Sequence, residues 1–376
     1  MTNSPLNPAL RETGIYEQLG ELNYFVPNPL PPAPPLFLDG NLLERYGRAI
    51  YQIGQLNEMS ERLPNKARFI KAYLIKEALF SSAIEGINTT IIELFTPPSE
   101  GFKQNKETQL VLNYTSAIET ALNMVQHENY PIVARVILSA HEALMSGGAG
   151  AGADPGNFRK QGVHVGNLVP PPAPKVPQLI ADLEKYINED NTLPALIKAG
   201  LAHVQFETIH PFLDGNGRIG RLLIVLMLIE SNLLNAPIIY PSYYFKKYHA
   251  RYYDCLDRVR THGDFEQWVS FYLEAIEESA LDAHRRAKEI EALEKNIRTK
   301  FAAKDLENEI LTILFEFPII NVTQLAEKLG KSYNAAHSHI KKFVAVGVLT
   351  EMTEQQRNKL FRFDAYLALL EKEYQE

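Results

Sequence analysis

Residues 210–221, HPFLDGNGRIGR, place one imidazole, one carboxylate, three glycines and two guanidiniums in twelve consecutive positions. Gly215, Asn216 and Gly217 stand between a loop and the strongly apolar run LLIVLMLIE. Glycines there let backbone N–H groups converge, and the free N–H groups of a helix's first turn add to that nest. Arg218 and Arg221 are three apart, so they share one face of that turn and aim at one volume. Two guanidiniums over a nest suit a di- or triphosphate. Asp214 brings a carboxylate to the same place, and magnesium is commonly held by one or two carboxylates, with phosphates and water completing its shell. His210 has an intrinsic pKa of about 6.5, right for a base at neutral pH. Base, metal ligand, nest and clamp together suit attack of a hydroxyl on a metal-bound nucleotide phosphate.

The elements that must hold this stretch are mostly helical. The 376 residues, 45% hydrophobic, allow two or three domains with real cores. A formal charge of -7 argues against a surface coated for nucleic acid. The single cysteine, Cys255, excludes an intrachain disulfide and a cysteine-rich zinc site, and suits a reducing cytoplasm. No HExxH pattern accompanies His203 and His210, so a zinc enzyme is not expected. The start, MTNSPLNPALRETG, shows no signal pattern, and the longest apolar run, Leu222 to Ile229, falls far short of the roughly 20 residues a membrane span needs. The expectation is a cytoplasmic protein with no membrane partner.

Along the chain, residues 1–38 read as an extended strap, because PNPLPPAPPL forbids helix. Residues 39–129 read as an N-terminal helical domain, with helical patterns over 39–93 and 108–126. Residues 130–276 carry the motif, with helices near 132–145, 178–188, 193–208, 216–231, 243–260 and 265–295. Between the first two, SGGAGAGADPG reads as a flexible loop without a P-loop ending, and 157–169 as a short β-hairpin. Residues 277–300 read as a charged linker helix. In 301–376, a helix over 306–315, a helix-turn-helix with Tyr333–Val346 as candidate recognition helix, and a ribbon with its tip at Gln355–Lys359 suggest a winged helix-turn-helix. That module holds nine Lys/Arg against eleven Asp/Glu, so protein contact or a homodimer is favoured over DNA.

HPFLDGNGRIGR resembles the signature of Fic-domain proteins, HxFx(D/E)GNGRxxR, without a departure. The resemblance spans about 130–275, including GNFRKQGVHVG before the motif and YYDCLDRVRTHGDFEQWVSFYL after it. It implies a mainly α fold, a helical core with a β-hairpin flap, and transfer of AMP from ATP to a Ser, Thr or Tyr hydroxyl of a target protein. By resemblance His210 is the base, and Asp214 holds Mg²⁺ between the α- and β-phosphates. Gly215, Asn216 and Gly217 form the anion hole. Arg218 clamps the β-phosphate and Arg221 the γ-phosphate, with Ile219 and Gly220 inside the same nucleotide-binding stretch. Phe212 is expected to be buried beneath the site, and Tyr252 and Tyr253 to wall the adenine pocket.

A second stretch, SSAIEG, resembles the family's inhibitory motif (S/T)xxxE(G/N) at Ser81, Glu85 and Gly86. The resemblance implies that Glu85 pairs with Arg221 and usurps the γ-phosphate's clamp. Gly162, Val163, His164, Val165 and Gly166 are the expected flap that pairs with a target segment by strand addition. Arg159 is expected either at phosphate or solvating that hairpin. The implied activity is an autoinhibited protein adenylyltransferase, with self-modification and removal of AMP left open. The alternatives are a nucleotide-sensing transcriptional regulator, which would need the clamp but not His210, and a phosphotransferase, whose family members depart from the GNGR core.

Overall fold

The computed structural model describes residues 11–62, 66–97, 104–147, 151–189, 192–301, 305–352 and 359–372. The segment GIYEQLGELNYFVP folds as an antiparallel hairpin of β1 (Gly14–Leu19) and β2 (Leu22–Pro27), turning at Gly20, where φ is +63°. Aromatic and branched residues flanking a two-residue turn favour that structure. The strap expected over 1–38 is thus corrected: a hairpin precedes the extended proline-rich chain, and residues 1–10 lie outside the described residues. Then come α1 (Gly40–Arg62), α2 (Lys66–Ile84) and the short α3 (Ile91–Phe95). Thr90 caps α3, and Glu93 returns the contact to the Thr90 N–H as a capping box. Next, α4 (Lys106–Leu122) runs on into a π-helical turn over Asn123–His127.

α5 (Ala134–Leu144) leads to the glycine-rich loop, whose residues 148–150 are outside the described set and whose 151–153 form a 3₁₀ turn. The expected hairpin over 157–169 is reduced to one bridge, Val165 with Leu168, closed at Gly166 (φ +56°). Pro170, Pro171 and Pro172 supply no N–H donors to lengthen it. The core continues with α6 (Val176–Glu189), α7 (Ala195–Ile209) and α8 (Asn216–Glu230). α7 and α8 are buried on nearly every face, including the polar Lys198, His203, Gln205 and Glu207 of α7 and Arg218 and Arg221 of α8. The helix expected over 243–260 breaks at Tyr248 into α9 (Ser242–Lys247) and α10 (His249–His262).

α11 runs from Phe265 to Lys300 without a break. The expected separate linker over 277–300 is therefore the second half of a core helix about 54 Å long. It lies along α1 and buries Ala280, Ala283, Ala287 and Ile290. Gly200 admits α11 closely: a Cβ there would stand 2.6 Å from the Tyr272 ring, and Trp268 Nε1 donates to the Gly200 carbonyl at 2.8 Å. The C-terminal elements are α12 (Asp305–Glu316), β3 (Ile319–Asn321), α13 (Val322–Leu329), α14 (Tyr333–Ala345), β4 (Thr350–Glu351), β5 (Leu360–Arg362) and α15 (Asp364–Glu371). β3, β5 and β4 form an antiparallel sheet in that order. Most of the expected wing tip, 355–358, lies outside the described residues. α12 packs on α2, where Arg68 lies 4.4 Å over Phe315 and pairs with Glu294, and α15 packs on α3. No helix among the described residues is long and apolar enough to cross a membrane.

Candidate functional site

His210 is the residue at which α7 stops. It sits in the left-handed region (φ 50°, ψ 62°), uncommon for a side chain with a Cβ, and so needs outside support. Arg159 supplies it. This buried guanidinium donates from Nε to the His210 carbonyl at 2.8 Å, from Nη2 to the Pro171 carbonyl at 2.6 Å and to Ile209, and from Nη1 to Gln161. The Arg159 N–H donates to the Pro211 carbonyl. One side chain thereby ties both stems of the flap to the turn bearing His210. Of the two expectations for Arg159, phosphate contact or hairpin solvation, neither holds: its donors are spent on backbone carbonyls.

The His210 ring is pushed down to about 4, first by burial and then by Arg159 and Arg260, so it is a neutral base at neutral pH. Its Nδ1 faces the Glu207 carbonyl at 3.3 Å, which fixes the N–H there and leaves the Nε2 lone pair free.

The loop from His210 to α8 is stitched internally. Phe212 is fully buried, its N–H donates to Asn216 Oδ1 at 2.8 Å, and Asn216 Nδ2 returns to the Phe212 carbonyl at 2.9 Å. The Asn216 side chain therefore shapes the loop, and what it offers an anion is backbone N–H. The first intrahelical bond of α8 runs from the Ile219 N–H to the Gly215 carbonyl, which leaves the N–H groups of 216–218 at the helix mouth. His141 holds the loop from outside. It accepts from the Gly156 N–H at Nδ1, places Nε2 3.1 Å from the Asp214 carbonyl, and stacks on Phe212 with centroids 3.7 Å apart.

Both arginines are buried. Arg218 contacts Asp214 at 3.4 Å, while its Nε and Nη1 are buried without a protein hydrogen-bond partner. Burial first, then Arg221, pulls its pKa down. An orphaned guanidinium beside a helix mouth fits an anion. Arg221 is already engaged: Nε donates to Ser81 Oγ at 2.8 Å, and Nη2 to the Ser81 carbonyl at 2.9 Å and to Glu85 Oε1 at 2.7 Å. Burial opposes its charge, yet Glu85, Tyr252 and Glu207 hold its pKa above the usual range. Burial likewise works against Glu85, and Arg221, Arg218 and His210 together keep it below the usual carboxylate range. Glu85 lies one residue past α2, in a turn where Gly86 has φ +77°. Its carboxylate rests on Gly217, in the space a Cβ there would fill.

Asp214 is the exposed carboxylate of the site, its side chain 66% open. Among the described residues no three His, Cys, Asp or Glu side chains gather as a metal site. One open carboxylate beside a buried arginine with two unsatisfied nitrogens fits Mg²⁺ carried in on phosphates, with Asp214 as its protein ligand.

Three expected members stand apart from this cluster. Ile219 and Gly220 face the core: Ile219 is buried, and the Gly220 carbonyl accepts from His203 Nδ1 at 2.8 Å. Tyr252 is buried with its hydroxyl on His203 Nε2 at 2.8 Å, behind Arg221, so the expected pair of adenine walls is divided. Tyr253, the next residue on the helix, is 39% exposed and close enough to Glu85 to feel its charge. Gly162, Val163, His164, Val165 and Gly166 are all open or half-buried at the flap.

Sequence reading missed Arg159's role, His141, and Glu207. Glu207 is buried, its Oε1 lacks a partner, and burial pushes it up to about 7 against the pull of Arg221. It also explains Gly220, where a Cβ would meet Glu207 Oε1 at 2.5 Å.

Comparison with known proteins adds two family models, the Fic/DOC family over residues 131–228 and the Fic/DOC family N-terminal region over 43–123. Curated relatives include the protein adenylyltransferase Fic of Drosophila erecta, 30% identical over 218 residues, covering 54% of this chain and 41% of that protein. That of Drosophila melanogaster is 33% identical over 126 residues, covering 33% and 24%. A probable protein adenylyltransferase of Aquifex aeolicus is 39% identical over 83 residues, covering 22% and 26%. The chain thus spans well under half the length of these relatives. Among solved structures, a Fic family protein from Desulfovibrio desulfuricans matches with a TM-score of 0.56 at 21% identity, over 88% of this chain and 97% of that one. Fic-1 from C. elegans matches at 0.51 and 21%, over 68% and 75%. At these identities the structural likeness is one of fold.

Proposed function

The chain belongs to the Fic/DOC family, and from that premise we propose that it is a protein adenylyltransferase, moving AMP from ATP to a hydroxyl side chain of a target protein and restrained by its own Glu85. The observation that carries the reading is one arrangement: a neutral imidazole, a buried arginine with unpaired donors, and a second arginine held by an acid in the turn that ends another helix.

Each group has a task. A target hydroxyl gives its proton to His210 Nε2 as its oxygen attacks the α-phosphorus, and the bond to the bridging oxygen of the β-phosphate breaks, releasing pyrophosphate. N–H groups at the mouth of α8 face the charge that grows on the α-phosphate. Arg218 meets the β-phosphate, and Arg221 meets the γ-phosphate once Glu85 has left it. Mg²⁺, when bound at Asp214, supplies charge neutralisation on the departing phosphates. Arg159 and His141 set the flap and the loop around the base. With Glu85 in place the γ-phosphate loses its clamp, and a small displacement of the α-phosphate suffices to slow in-line attack. For 301–376, exposed Tyr333, Val344 and Val346 on and just after α14 favour a protein contact over DNA.

Incubation of the Glu85→Gly protein with ATP labelled at the α-phosphate, followed by intact-mass analysis, tests the reading. The expected result is an AMP-sized adduct on protein, absent with His210→Ala. A phosphate-sized adduct, or labelling that persists without His210, would overturn it.

A further inference from the structure

We propose that Tyr24, carried on β2, is a substrate of the chain's own transfer site, presented in cis by the N-terminal hairpin. The inference rests on the adenylyltransferase reading and deepens it by naming a hydroxyl. Strand addition to the flap is the docking mode a target segment would use, and β2 already makes a contact of that kind. The Phe25 N–H donates to the Val169 carbonyl at 2.9 Å, where the flap's second arm ends.

Successive side chains on a strand point to opposite faces. Phe25 turns inward and is buried. Tyr24 therefore points the other way, and its hydroxyl arrives at the start of the flap: a Cβ on Gly162 would lie 3.4 Å from it. The Tyr24 hydroxyl also neighbours Arg159, whose guanidinium holds the His210 carbonyl. Among the described residues the Tyr24 hydroxyl makes no hydrogen bond, so no structural partner accounts for its placement.

The hairpin is anchored rather than loosely attached. Arg11 pairs with Glu266 at 2.9 Å, Glu17 pairs with Lys175, Thr13 Oγ1 donates to the Arg260 carbonyl at 2.8 Å, and Gln205 Nε2 donates to the Asn28 carbonyl at 2.9 Å. Fixing Tyr24 in this way raises its effective concentration at the flap. The hairpin's other tyrosine is a built-in control. Tyr16 is paired opposite Phe25, so it shares Phe25's face and not Tyr24's, and it is 61% exposed. Labelling governed by exposure alone would choose Tyr16.

In the step proposed, Tyr24 Oη forms a bond to the α-phosphorus of ATP. Its proton passes to His210, the bond between the α-phosphorus and the α–β bridging oxygen breaks, and pyrophosphate departs.

The full-length Glu85→Gly protein is incubated with ATP and Mg²⁺ at several protein dilutions, digested, and sequenced by fragmentation. Fragmentation is needed because Arg11 and Arg45 bound one tryptic peptide holding both tyrosines. The expected result is an AMP adduct on Tyr24, none on Tyr16, a fractional rate independent of dilution, and loss of that adduct in Glu85→Gly/Tyr24→Phe. Adducts elsewhere with Tyr24 bare overturn the inference and leave the adenylyltransferase reading standing. A rate that rises with protein concentration, or transfer to Tyr24 of an added His210→Ala chain, overturns presentation in cis. The absence of any AMP adduct on the chain or on lysate proteins overturns the underlying reading itself.

Discussion

Replacing Glu85 with glycine removes one carboxylate and leaves Ser81 in place on Arg221. The 2.7 Å contact from Arg221 Nη2 is a hydrogen bond between charged partners, a class that contributes about 1.5–3 kcal/mol. The Glu85 side chain is 32% exposed, so solvent screening draws the figure toward the lower end. A γ-phosphate must displace this contact to reach Arg221, and each 1.4 kcal/mol is about tenfold. Removal should therefore raise AMP transfer by roughly tenfold to a hundredfold. Glu85→Gln keeps the shape and drops the charge, and should fall between wild type and glycine. The assay is initial-rate transfer from α-labelled ATP at saturating Mg²⁺, with ATP affinity measured separately by calorimetry. Equal rates for wild type and Glu85→Gly, with both proteins folded and binding ATP, would refute the claim that this carboxylate competes for the clamp.

Other consequences are as concrete. In the Glu85→Gly background, Arg159→Ala should lower kcat by about tenfold to a hundredfold with little change in KM for ATP, because it loosens His210 and the flap but touches no phosphate; an equal rise in KM would argue for a phosphate role. Because burial pushes His210 down to about 4, the base is already deprotonated at neutral pH, and the acid limb of kcat/KM should fall through about 4 rather than 6.5. Removing Glu85, whose charge raises that pKa, moves the limb no higher, so a limb near 6.5 in the Glu85→Gly enzyme would contradict the buried ring. Gly200→Val should cost about 1–3 kcal/mol and lower Tm measurably by calorimetry, since any Cβ there meets the Tyr272 ring.

The site was legible where its chemistry is contiguous in sequence. His210, Asp214, the glycine turn and both arginines lie within twelve residues, so they fall on one loop and the first turns of one helix. Periodicity was enough to find the long helices of a mainly α fold, but it did not separate faces: Ile219 and Gly220 share the motif's helix and yet point into the core. Tyr252 and Tyr253 are neighbours in sequence, and a step of about 100° around the helix sends them to different environments. Arg159, His141 and Glu207 act across 51, 73 and 13 positions, respectively, on His210, Asp214 and Gly220, distances at which no local pattern speaks. The hairpin of 14–27 did carry a signal, apolar residues astride Gly20-Glu21, overshadowed by the proline run that follows it. The linker reading failed because charge on one face of 277–300 does not reveal that the other face is buried against α1.

The helix that delivers Glu85 is riveted along its length. Arg68 is held by Glu294, the Tyr73 hydroxyl by the Ala283 carbonyl, Glu77 by Ser242, and Ser81 by Arg221. Withdrawing it as a rigid rod would break all of these and disturb α12 as well. Glu85, however, sits beyond the last helical residue, beside a glycine already in the left-handed region. On the proposed reading the restraint is the turn that closes α2, where the Glu85 and Ile87 N–H groups donate to the Ser82 carbonyl and that of Gly86 to the Ala83 carbonyl, and lifting it leaves the rod in place. Whatever lifts it need reorder only a few backbone torsions, a loop-scale motion of nanoseconds to microseconds rather than the slower travel of a domain.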